Sequence, residues 1–196
     1  MTKGRLEAFT DGVLAIIITI MVLELKVPHG GDFEDLKPLF PVFVSYILSF
    51  IYLAIYWNNH HHMMQTVKHV TGKILWANMH LLFWLSLVPF VTGWMGENHF
   101  TSASIFLYGI ILLGAAIAYF ILQSLIIKDH GKDSILAKAL GKDLKGKSSP
   151  ILYILGILSS FFNVWLSGSF YILVAIIWLI PDSRIEKALK KEKTSL

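Results

Sequence analysis

Cysteine is absent from all 196 residues, so disulfides, thiolate chemistry and cysteine-based metal sites are excluded. Charge is scarce as well. Asp, Glu, Lys and Arg make up 15% of the chain, against roughly a quarter in a soluble domain of ordinary composition. No HExxH pattern occurs, nor any nucleophile–base or metal-ligand spacing, which argues against an enzyme. What the chain has instead is apolar surface. Apolar residues reach 55% and the mean hydropathy is +0.63. Thirteen Phe, seven Tyr and six Trp suit a chain that needs a lipid-facing surface and anchors at its boundary.

The apolar residues are gathered into runs. A helix rises 1.5 Å per residue and needs about twenty residues to cross a bilayer. Helices are predicted over residues 6–27, 39–59, 74–95, 104–127, 149–166 and 169–187. The expected fold class is all-α: a polytopic membrane protein whose six transmembrane helices form one channel-sized domain over 1–196. The last two helices come from one uncharged stretch, Ser148 to Ile180, with a break expected at Ser167-Gly168-Ser169. Pro181 then leaves the final arm either short or continued as a helix leaving the membrane. The first run is read as a retained helix rather than a signal peptide. Asp11 interrupts it, and no small-residue cleavage pattern follows Val27.

Placing the charges along the chain gives an orientation. With a cytoplasmic N-terminus and six crossings, only Lys26 and Lys37 of the 17 Lys and Arg residues fall outside. This is the positive-inside pattern, and it predicts cytoplasmic N- and C-termini. The outer loop after the first helix is acidic, with Asp32, Glu34 and Asp35. The lysines from Lys128 to Lys147 read as a solvated loop near anionic headgroups. They lack interleaved aromatics, so no nucleic-acid partner is expected.

Polar side chains within a membrane are costly and face protein or a water-filled path. Here they share one depth, near the cytoplasmic face. Thr10 and Asp11 lie at the inner end of the first helix, just beyond Arg5. Asn58, Asn59 and His60 to His62 lie at that of the second, and Asn78 and His80 lie one to two turns into the third. The expectation is a network of Arg5, Thr10, Asp11, Asn59, His60, His61, Asn78 and His80 that stitches the three helices together. A gating role is the alternative. Three successive histidines point 100° apart and do not converge on one ion, so neither a resident metal nor a cofactor is expected.

The first helix carries a second pattern. Gly12, Ile16, Thr19, Ile20 and Leu23 fall at i, i+4, i+7, i+8 and i+11 and share one stripe. Such a stripe either packs on another helix or lines a path, and spacing alone leaves both open. If it lines a path, rings of branched aliphatics close it by dewetting. The Thr19 hydroxyl is then the only polar group offered at mid-membrane. Elsewhere, Gly114 and Ala118 form a small-xxx-small pair for close helix contact. Pro89 is expected to kink the third helix, and Trp57, Trp76, Trp94 and Trp165 read as interfacial anchors.

Arg5, then Phe9-Thr10-Asp11-Gly12, then an aliphatic run ending in Leu23-Glu24 resembles the first helix of the TMEM175 potassium-channel family. The hallmark there is Arg, three residues, and Phe-Ser-Asp-Gly. The likeness continues through Trp57, His60-His61, Leu75-Trp76, Asn78 and Leu87-Val88-Pro89-Phe90. It implies a six-helix cation channel, and for a single-unit chain a homotetramer in the cell membrane. The pore of that family is built from the first helix without a TVGYG filter, which this chain also lacks. By resemblance, Ile16 is the bottleneck, Thr19 a polar layer above it, and Ile20 and Leu23 further pore-facing positions. Arg5 and Asp11, with histidine and asparagine partners, match the network supporting the pore helix. Thr10 departs from the usual Ser, Ile20 stands where Leu is common, and the histidine run with Met63-Met64 is individual to this chain.

The expected partners are therefore potassium, held only in passing at Ile16 and Thr19, other monovalent cations, the lipid bilayer and further copies of the chain. The rival reading is a proton-coupled transporter working by histidine or Asp11 protonation. It requires a saturable flux, and the paired discontinuous helices common in such proteins are missing.

Overall fold

The computed structural model describes residues 2–141 and 143–179. Within them the chain is helical: α1 (Lys3–Leu23), α2 (Phe40–Gln65), α3 (Gly72–Ser86), α4 (Val88–Glu97), α5 (Ser102–His130), α6 (Ile135–Leu140), α7 (Leu144–Ser159) and α8 (Val164–Leu179). A 3₁₀ segment, Phe33–Leu39, leads into α2, its start fixed by reciprocal bonds between Asp32 and Asp35. Four stretches are long and apolar enough to cross a bilayer: Lys3–Leu23, Phe33–Gln65, Gly72–Glu97 and Ser102–His130. The α7–α8 hairpin has two 16-residue arms.

The expected kink in the third span is a full interruption. Leu87 separates α3 from α4, its amide reaching back only to Trp84 O at 3.2 Å. Pro89 sits in the first turn of α4, where its missing N–H breaks no helical bond.

The last hairpin turns earlier than expected. Its bend lies at residues 160–163, and α8 already begins at Val164. Asn163 is the cause: its Oδ1 accepts from the amides of Trp165 (2.9 Å) and Leu166 (3.2 Å), capping the new helix. Ser167, Gly168 and Ser169 are inside α8. Ser167 Oγ donates to Gly156 O across the hairpin at 2.7 Å, and Ser169 Oγ donates back to Leu166 O. Ser167 serves close packing across the hairpin, and none of the three breaks the helix. The part of the predicted 169–187 helix beyond Leu179 lies outside the described residues.

At the centre stands α5, with Tyr108, Ala115, Ala118 and Leu122 fully buried. It packs against α3 on one side and α7 on the other. Lipid tails are as apolar as leucine, so close approach and polar bonds must hold such a bundle together. Both are present. Gly114 lets the Trp84 ring close against α5, where an added Cβ would sit 2.4 Å from ring atoms. Thr92 Oγ1 donates to Ser49 Oγ at 2.7 Å, Ser49 Oγ lies 3.1 Å from the Tyr108 hydroxyl, and Ser45 Oγ donates to Thr92 O at 3.1 Å. This chain of hydroxyls joins α2, α4 and α5.

Where α2 crosses α4, backbone meets backbone. A Cβ on Gly96 would lie 2.6 Å from the Val42 Cα and 2.7 Å from Ser45 Oγ, and a backbone atom cannot rotate aside. Gly96→Ala should therefore destabilise the subunit by about 1–3 kcal/mol, read as a lower melting temperature in detergent. Gly168→Ala, with nothing within 4 Å of the added methyl, should leave melting unchanged.

Candidate permeation site

The first helix has two unlike faces. Leu6, Thr10, Leu14, Ile17 and Met21 are buried against the rest of the subunit. On the other side Ile16 is 60% exposed, Ile20 42% and Leu23 74%, and Gly12 and Thr19 are exposed with them. All five residues of the stripe therefore lie on the face that the subunit leaves uncovered. Their spacing of 100° per residue makes this inevitable once Leu14 and Ile17 point inward. Ile16, Ile20 and Glu24 also border a groove whose far wall is Pro89, Phe90 and Trp94 of α4.

Thr19 Oγ1 donates to Ala15 O of its own helix at 2.8 Å. That bond uses the hydroxyl proton and leaves the oxygen lone pairs facing away from the helix axis. The only polar atom of the stripe is thereby set up as an acceptor, which a cation requires.

At the outer end, Lys26 is paired with Glu97 at the close of α4. The bond to Glu97 holds the Lys26 ammonium pKa above its ordinary value.

The polar residues at the inner end form two hydrogen-bonded sets. In the first, Asn78 of α3 bridges the other two helices. Its Nδ2 donates to Thr10 Oγ1 at 2.9 Å, and its Oδ1 lies 2.8 Å from His60 Nε2. All three residues are buried. An amide oxygen only accepts, so His60 must carry its proton on Nε2. In the second, the Asp11 carboxylate accepts from the Trp57 indole at 2.9 Å. His61 stacks on Trp57 with centroids 6.1 Å apart, and its Nε2 meets Gln65 at 2.9 Å.

Thr10, His60 and Asn78 thus meet in one set, Asp11 and His61 in the other, and three residues of the expected network join neither. Asn59 bonds Ile55 O of its own helix and receives the Tyr119 hydroxyl on its carbonyl, facing α5. His80 is exposed and accepts from Trp84 one turn along α3. Arg5 is exposed and makes no ion pair among the described residues. Conversely, sequence reasoning took Trp57 for an interfacial anchor and missed it as the partner of Asp11. The signal was available: a buried or half-buried indole N–H seeks an acceptor, and a membrane carboxylate seeks a donor.

The chain has named relatives and a solved structural counterpart. A relative in Chryseobacterium sp. (strain P1-3), named a potassium channel, is 60% identical over 97% of this chain and all of its own length. The family described as "Endosomal/lysosomal potassium channel TMEM175" matches residues 5–89. The chain belongs to the TMEM175 family. The crystal structure of a lysosomal potassium-selective channel TMEM175 homolog from Chamaesiphon minutus superposes with a TM-score of 0.80. It is 30% identical and covers 92% of this chain and 97% of that one. A human TMEM175 relative, named an endosomal/lysosomal proton channel, is 33% identical over 47% of this chain and 20% of its own length. The residues matched by the TMEM175 family run from α1 to the Pro89 break. They take in the whole stripe and both halves of the inner network.

Proposed function

We propose that the protein is a potassium channel of the cell membrane, a homotetramer whose cation path runs between the four α1 helices. It has no catalytic step: permeation makes and breaks no bond. One observation carries the reading. The aliphatic and threonine face of α1 is left bare by its own subunit, although α2, α3 and α4 pack against the helix. A bare apolar face in a membrane needs lipid or another protein surface against it, and an acceptor oxygen set among its aliphatics suits a shared cation axis. The names of the relatives in Chryseobacterium and Chamaesiphon support potassium as the permeant ion.

On this reading Ile16 closes the path, and Ile20 and Leu23 continue the apolar wall towards Glu24. Thr19 replaces part of the ion's hydration shell, and Asp11, Thr10, His60, His61 and Asn78 hold the inner end of α1 in position. Without a cage of backbone carbonyls, discrimination of K⁺ from Na⁺ rests on one hydroxyl layer and is modest. Protein reconstituted in vesicles should pass K⁺ down an imposed gradient, with a reversal potential set by K⁺ more than by Na⁺. Thr19→Val preserves shape and removes the acceptor oxygen. It should shrink the K⁺ preference while flux persists; an unaltered preference would remove Thr19 from the path.

A second reading has one observation in its favour, the proton-channel name of the human relative. The same vesicles distinguish it: a reversal potential that follows the pH gradient and ignores K⁺ would make H⁺ the permeant ion.

A further inference from the structure

Far along the chain from the stripe, three side chains meet where the α2–α3 loop touches the end of α5. His69 Nε2 lies 2.9 Å from Asp129 Oδ2, and the His69 and His130 rings stack with centroids 4.4 Å apart. One ligand-type atom from each of the three lies within 4.8 Å of the others. The tautomer of His130 is set by its surroundings. Its Nδ1 faces Ile126 O at 3.0 Å and must donate to it. The Nε2 lone pair is therefore an acceptor, and it takes the loop amides of Lys68 (3.0 Å) and His69 (3.4 Å).

We propose that His69, Asp129 and His130 form a binding site for a first-row divalent transition metal ion of the Zn²⁺ type. Two imidazoles and a carboxylate are a donor set such ions favour, with water completing the shell. Potassium has no preference for imidazole, so the site stands apart from permeation. The bond from His130 Nδ1–H to a backbone carbonyl is the arrangement that orients a metal-binding histidine through its other nitrogen. Ligands 2.0–2.1 Å from a tetrahedral ion stand about 3.3 Å apart, so the present spacing closes by small side-chain rotations. The His69 and Asp129 side chains, 60% and 31% exposed, are free to turn, whereas His130 must first give up the two loop amides on its Nε2. The loop amides now bonded to Nε2 belong to exposed residues, and water replaces that partner. A bound ion would clamp the end of α5 to the loop that leads into α3, the helix carrying Asn78.

The test uses the full chain in detergent with any affinity tag removed. Zn²⁺ is titrated by calorimetry, and Co²⁺ by the visible absorption of a tetrahedral complex. One ion per subunit is expected. Asp129→Asn and His69→Ala, both at exposed positions, should each weaken binding by about tenfold or more and lower the Co²⁺ band. A His61→Ala, His62→Ala double variant should bind as the unaltered protein does. The proposal is overturned if Zn²⁺ does not bind below about 1 mM. It is equally overturned if both single variants bind undiminished, or if only the double variant loses the ion. In those cases the cluster is an ion pair with a histidine loop cap and nothing more.

Discussion

Ile16→Asn is expected to raise K⁺ flux through reconstituted protein by about tenfold or more. On the proposed reading a ring of four isoleucines lies across a narrow path and excludes water, and an ion crossing it must shed hydration with nothing offered in return. Four amides supply donors and acceptors at the same radius. Relieving the barrier by only about 1.4 kcal/mol already gives the tenfold change. The neighbouring position makes the experiment decisive. Ile17 is buried against the subunit interior, so Ile17→Asn introduces an unpaired amide into packed helices and should lower stability without opening a path. If the two substitutions behave alike, or if Ile16→Asn leaves flux unchanged, α1 does not present its exposed face to the ions.

That contrast between adjacent residues also explains what could be read beforehand. The stripe was legible because 100° per residue separates Ile16 from Ile17 whatever the tertiary contacts are, and helix length and apolar runs gave the spans in the same way. The inner network was legible only in depth. Asn59 shares the depth of His60 but lies 100° round α2, and its side-chain amide turns back to Ile55 O of its own helix. His80 shares the depth of Asn78 but lies 200° round α3, on the exposed side. Depth follows from position along a helix; direction needs to know which neighbour each face receives. The hairpin was misplaced for a related reason. Serine and glycine in soluble helices suggest an end, yet in α8 the Ser167 hydroxyl finds its acceptor across the hairpin at Gly156, and Asn163 sets the start. The cluster of His69, Asp129 and His130 had no sequence signature, since its ligands come from a loop and a helix end some sixty residues apart.

Direction rather than depth is also what an Asn78→Leu substitution should reveal. Leucine keeps the γ-branching of asparagine but is bulkier, so at this fully buried site both bonds of the bridge are lost and some overpacking is added. The two partners do not suffer equally. Thr10 can turn its hydroxyl to a carbonyl of its own helix, as Thr19 already does. The His60 ring has no such recourse, because its Nε2–H points into the space Asn78 filled. A direct interhelical bond in a membrane averages about 0.6 kcal/mol, whereas a buried donor left without an acceptor costs about 1–3 kcal/mol. The stranded histidine should therefore dominate, for a total of about 2–3 kcal/mol in an unfolding titration from mixed micelles. His80→Leu, two residues on and exposed, should change stability by no more than about 0.5 kcal/mol. A double-mutant cycle of Asn78→Leu with Thr10→Val isolates the weaker arm, with a coupling near the membrane average. Equal losses for Asn78→Leu and His80→Leu would mean that α1 is not held through this bridge. The position of its exposed face would then have to be set by contacts other than this bridge.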